Sequence, residues 1–271
     1  MPIALSGEEE PYDVITATKM GSYWNLMANY VLGSGILPEP RERGLLEYLQ
    51  QHGGLALGMT RSRPGVSFWT GPHSANPLYG TRYVLTLLRR DEPDRALVSF
   101  YGMLAQGFTR DTFIAGEGSS LTPLDARGRL FYCPPNSAGN AHFLAVLRHL
   151  LVQEWDLDDD GVADTLRLAF ATPRRWLEDG KEIKVERAPT AFGETSFTLR
   201  SRLNAGEVRA EFTPPPRTPR QTLLRFRVPD GWQVTSAHAG EKHLPVDVHG
   251  TVDVSAFRER TALRVAVKRT P

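Results

Sequence analysis

The chain has 271 residues, 41% hydrophobic and 23% charged, a composition suited to one large or two smaller globular domains. Its 32 basic and 31 acidic residues leave a net charge of +1, so no overall field draws it to nucleic acid or to an anionic membrane. One cysteine, Cys133, excludes intrachain disulfides and Cys-based zinc sites.

The N-terminus, MPIALSGEEEPYD, is polar and lacks the basic start and apolar stretch of a signal peptide. Met20, Trp24, Met27 and Val31 recur at helical spacing and predict a helix over 18–32, closed by Gly33 and Gly35. A second helix is expected over 41–52, with Leu45, Leu46 and Leu49 inward. Residues 54–75 contain FWTGPHS and are not helical. A third helix, 76–90, has Asn76 as N-cap and Pro77 in its first turn. A fourth runs from about Pro93 to 108, lined by Leu97, Tyr101, Leu104 and Phe108, and a fifth covers 137–154 from Ser137. No apolar run reaches the roughly eighteen residues a membrane helix needs.

After Trp155 the period changes. Apolar and polar residues alternate over 165–171, 181–186, 194–202, 206–213, 220–228, 233–237 and 261–268, with a short helical turn at 173–179. The expected organisation is a partial α/α toroid of helical hairpins over 1–155, followed by a small antiparallel β-sandwich over 156–271. Short links follow the first and third helices, and long aromatic-rich links precede the third and fifth. The elaborated loops therefore share one end of the stack. The basic residues are scattered along the sequence, with short clusters at Arg89–Arg90 and Arg174–Arg175, and read as solvated faces.

One long link is distinctive. Phe108 to Asn140 spans about thirty residues without a helical period, far beyond the usual connection. It is too apolar for a disordered linker, with Phe113, Phe131, Tyr132 and Cys133. Cys133, beside Pro134, reads as a small packed hydrophobe. Glu117 stands alone in the middle between Gly116 and Gly118, whose freedom would let the backbone turn sharply and leave the carboxylate accessible. Glu117 is accordingly either a candidate catalytic carboxylate or an ordinary solvated loop glutamate. Asp111 is the nearest second carboxylate, beside Arg110, which would serve it as ion-pair partner or contact substrate. Asp13 is a more distant alternative. Trp69, His73, Tyr79, Tyr132 and Asn136 fall on the expected loop end and offer the aromatic faces and polar groups that sugars require.

Helical hairpins with clustered loops, then CPPNSAGNAHFLAVLRHLLVQE after Glu117, then DTLRLAFATPRRWLEDGKEIKVE, resemble the C-terminal part of the six-hairpin (α/α)6 glycosidases, of the α-L-rhamnosidase and α-L-fucosidase type. The resemblance implies a glycoside hydrolase of oligo- or polysaccharides, inverting, with Glu117 as general base. It also implies a carbohydrate substrate and no required cofactor. Only about five of a toroid's twelve helices are legible in the sequence, so the resemblance further implies a missing N-terminal portion or a second subunit. Two other readings stand beside it: a non-catalytic carbohydrate-binding protein, and a glycoside phosphorylase using Gly118, Ser119 and Ser120 to hold phosphate. A solenoid scaffold lacks the necessary repeat.

A separate motif, DLDDDGVAD, places Asp156, Asp158, Asp160 and Asp164 at calcium-loop positions around Gly161. Arg167 stands where a bidentate glutamate belongs. The motif reads either as a calcium site built from other oxygens or as a solvated acidic turn.

Overall fold

The computed structural model describes residues 29–51, 54–61, 74–121, 128–158 and 160–270. They divide after Leu147 into two compact units.

In the first unit, α1 spans Glu39–Gln51 and buries Leu46 and Leu49. The expected helix over 18–32 lies outside the described residues except at its end, where Asn29–Val31 forms a 3₁₀ turn. The segment expected to be merely non-helical holds three short strands: β1 (Leu55–Ala56), β2 (Met59–Thr60) and β3 (Ser74–Ala75). A 3₁₀ turn, Pro77–Gly80, leads into α2 (Thr81–Arg89), which buries Tyr83, Val84, Leu87 and Leu88. Helix α3 (Pro93–Gly102) continues as a π-helical turn, Met103–Gly107. Its buried face is Ala96, Ser99, Phe100 and Met103, about one position round from the expected stripe, so Tyr101 and Leu104 are exposed. The small residues Ser99 and Gly102 explain the rotation: the β1–β2 turn lies directly on them. Ser99 Oγ donates to the Gly58 carbonyl at 2.5 Å, and a Cβ at Gly102 would lie 2.0 Å from the Leu57 carbonyl oxygen.

The described part of the long link holds short strands. Phe108 bridges Ala115, and Gly118–Ser120 (β4) and Phe131–Tyr132 (β5) join β3 in a three-stranded antiparallel sheet ordered β3–β4–β5. Periodicity failed to show this because each strand has only two or three residues. Cys133 is exposed rather than packed, at a positive φ of 47° just after β5. Helix α4 spans Ser137–Leu151. Phe143 stacks on Phe100 at 5.2 Å and meets Phe108 edge-on at 5.0 Å.

Helix α4 ends before the expected 154, because Val152–Trp155 forms β6 and pairs with β7 (Thr165–Leu168). Strands β8 (Glu182–Thr190), β9 (Gly193–Arg202) and β10 (Glu207–Thr213) follow, then β11 (Gln221–Arg225), β12 (Trp232–Ala239), β13 (Lys242–Leu244), β14 (Thr251–Asp253) and β15 (Thr261–Arg269). They form a six-stranded sheet, β13–β12–β15–β10–β9–β8, and a four-stranded sheet, β14–β11–β7–β6. The inward residues of both, among them Leu166, Phe197, Leu199, Phe212, Leu224 and Val265, make one continuous core. The sandwich is not wholly antiparallel: β7 and β11 pair in parallel. Among the described residues no helix is long and apolar enough to cross a membrane.

Candidate functional site

The site is built on the strip Ala115–Ser120, which is tied down on both sides. Asn136 N–H donates to the Ala115 carbonyl at 2.8 Å, and Glu117 N–H to the Tyr132 carbonyl at 2.9 Å. Gly116 and Gly118 allow close packing on either side of a bend at Glu117. Neither has a positive φ. A Cβ on Gly116 would lie 2.9 Å from the Phe131 ring, and one on Gly118 would lie 2.9 Å from Asn76 Oδ1. Both glycines are buried and Glu117 is half-buried, so the two tight neighbours leave the carboxylate as the side chain that emerges.

Tyr79 comes to Glu117 from the Pro77–Gly80 turn. Its hydroxyl donates to Glu117 Oε1 at 2.7 Å. That hydrogen bond, with burial and the neighbouring charge, pushes the Tyr79 pKa up to about 12, with smaller contributions from Tyr30 and Tyr132. Among the described residues Oε2 accepts no hydrogen bond, so a substrate hydroxyl or a water can use it. Replacing Glu117 by glutamine removes the charge that holds the tyrosine proton. Spectrophotometric titration of the variant should show one tyrosine returning from about 12 toward 10. An unchanged titration would mean that the pair does not form in solution.

Thr81, two residues beyond Tyr79, anchors α4 from below. Its hydroxyl donates to the Leu78 carbonyl at 2.9 Å and lies 2.7 Å from His142 Nδ1. A hydroxyl has one proton to give, so Nδ1 carries the hydrogen of the second bond. His142 is 4% exposed, and burial lowers its pKa to about 4.

Some expected site residues have structural tasks. Asn136 caps α4, its Oδ1 accepting from Gly139 N–H at 2.7 Å. Asn76 makes no side-chain cap bond on the turn it precedes; it lies against Gly118 instead. Ser119 and Ser120 are fully buried. The Ser119 hydroxyl donates to the Gln106 carbonyl at 2.8 Å, and Ser120 Oγ accepts from Leu130 N–H. Neither is placed to hold a phosphate. Arg110 and Asp111 lie exposed on the turn before the strip, Asp111 at a positive φ of 64°. Trp69, His73, Asp13 and Trp24 lie outside the described residues.

Two residues near the site went unnoticed in the sequence. Tyr30 carried no usable signal. His142 did carry one, since it shares a helical stripe with Gly139, Val146 and Leu150, and a polar residue on an apolar face asks for a partner.

In the second unit, Asp156, Asp158 and Asp164 present carboxylate oxygens within 4.8 Å of one another, without Asp160. Asp156 accepts from the backbone N–H groups of Asp160 and Gly161, and Arg220 pairs with Asp158 at 3.0 Å. Burial and the charges of Asp160 and Asp164 raise the Asp158 pKa. Arg167 is no ligand; its guanidinium lies over the Phe170 ring.

No protein-family model matches this chain, and no curated protein matches it. Among solved structures, a GH127 beta-arabinofuranosidase aligns with a TM-score of 0.42 at 12% identity, over 93% of this chain and 44% of the other. The chain spans less than half the length of that enzyme.

Proposed function

We propose that this chain carries a carbohydrate site and acts on glycosidic bonds, with Glu117 as the reacting carboxylate and Tyr79 positioning it. The observation that carries this reading is the Tyr79–Glu117 pair. One carboxylate oxygen is fixed by a tyrosine hydroxyl at 2.7 Å while the other accepts no hydrogen bond among the described residues, on a strip whose backbone is held by its neighbours. In an inverting reaction Glu117 Oε2 takes a proton from water as that water attacks the anomeric carbon. The glycosidic oxygen leaves with a proton from a second carboxyl group. Asp111, the nearest second carboxylate in the sequence, would serve as that donor or as a supporting group. Tyr132 would pack against the sugar, and Arg110 would bind its hydroxyls. A toroid completed by further residues or a second subunit would supply the remaining walls. Asp156, Asp158 and Asp164 are the residues that would hold a calcium ion, with Arg220 competing for Asp158.

The test is a screen of aryl glycosides with the purified chain beside Glu117→Gln and Tyr79→Phe. The expected result is turnover of one substrate that falls about 10²-fold in Glu117→Gln, the scale of a lost general base, and less in Tyr79→Phe. Turnover indifferent to Glu117→Gln would sink the assignment. Sugar binding by calorimetry with no turnover would favour a binding protein instead.

A further inference from the structure

Arginines far apart in sequence are gathered by strand register. Arg200 on β9 lies opposite Arg209 on β10, and Arg209 opposite Arg264 on β15. Arg264 lies opposite His238 on β12, and His238 opposite His243 on β13. Glu182 of β8 closes the other end, opposite Arg200. One row thus crosses all six strands as Glu-Arg-Arg-Arg-His-His. Paired residues share a face, and the intervening Leu199, Ala210, Leu263 and Val265 point into the core, so the row points outward.

We propose that this outer face of the six-stranded sheet is a binding site for an acidic polysaccharide. Like charges directly opposite one another on neighbouring strands destabilise a sheet. Three arginines in a row is such an arrangement, and the protein only partly relieves it. The buried carboxylate of Glu207 accepts from Arg202 at 3.0 Å and from Arg209 and Arg264 at 2.8 Å each. The guanidiniums themselves stay open, with Arg209 59% and Arg264 77% exposed. Both donate to Glu207 through Nε, which leaves their Nη groups for a ligand. A groove of about 830 Å³ runs over this surface, lined by four arginines against two glutamates, Glu207 and Glu211. The groove lining has a formal excess of two positive charges, which Glu182, paired with Arg200 at the end of the row, lowers to one.

Guanidinium forks match the planar oxyanions of carboxylates and sulfates. Neighbouring strands are about 4.8 Å apart, so the row offers closely repeated charges to an extended chain. Single-stranded nucleic acid fits less well, because it needs aromatic platforms, and no Phe, Tyr or Trp lines the groove among the described residues. The choice of a glycan as the polymer rests on the proposed function; the cationic row does not.

The test is calorimetry of the whole chain at low salt with oligogalacturonate, a heparin fragment, neutral maltoheptaose and an oligothymidylate. The expected result is that an acidic glycan binds, that maltoheptaose does not bind this face, and that binding weakens with salt. Arg264→Gln should weaken it about fivefold, the scale of one exposed charge pair. Glu207→Gln should tighten it, because a competing carboxylate is gone; a merely structural cluster would not respond in that direction. Whether oligogalacturonate or heparin binds better distinguishes carboxylate from sulfate. The proposal is overturned if neither acidic glycan binds, if the two substitutions leave affinity unchanged, or if the oligothymidylate binds as tightly. Failure here leaves the Glu117 screen untouched, and failure of that screen leaves the anion titration readable.

Discussion

Gly102→Ala should destabilise the helical unit by about 3 kcal/mol, at the upper end of what overpacking costs. The sign is informative. Gly102 ends α3, and alanine at an open helix position would stabilise by about 1 kcal/mol. Here the added Cβ would lie 2.0 Å from the Leu57 carbonyl oxygen and 3.1 Å from its carbonyl carbon. These are backbone atoms, which cannot rotate aside. The adjoining Gly58 cannot take up the strain, since at φ +71° its own Cβ position lies 2.5 Å from Ser99 N. The β1–β2 hairpin would therefore lift from α3. The consequence reaches the site through two contacts: the Thr60 carbonyl accepts from Asn76 N–H at 2.7 Å, and Asn76 lies against Gly118 beside Glu117. Urea denaturation would measure the loss, and hydrogen exchange over residues 55–60 would locate it. A variant as stable as the parent, or more stable, would mean that the hairpin does not rest on α3.

The second large effect is a pH dependence from His142. Its folded pKa is lowered from 6.5 to about 4 by burial, while the unfolded chain restores the ordinary value. Between those two pH values the unfolded state binds a proton that the folded state refuses, so stability rises with pH across the window. The fold is at full strength above pH 6.5 and loses up to about 3 kcal/mol as the pH falls toward 4. His142→Asn keeps a donor for Thr81 but cannot titrate. Its stability curve should lack this component, and the difference between the two proteins isolates it from the carboxylates. Parallel curves for parent and variant would show that the imidazole is solvated.

Helices α1 to α4 were legible from apolar spacing, and most sandwich strands from alternation, because both signals are local and average over many residues. Glu117 drew notice as the carboxylate in the middle of a long apolar link that also holds Asp111 and Asp125. The backbone does bend at Glu117, but its glycines adopt no positive φ and also leave room for the Phe131 ring and the Asn76 side chain. What the tertiary structure decided was pairing. Tyr79 meets Glu117 across 38 residues. Val152–Trp155 leaves the helix because β7 offers it a ladder, and the exchange of one set of backbone hydrogen bonds for another has no local signature. The arginines that looked scattered become a single row because register is set by turns and by a buried face shared among strands. Sequence periodicity shows which face a residue takes; only the closed sheet decides which residue stands beside it.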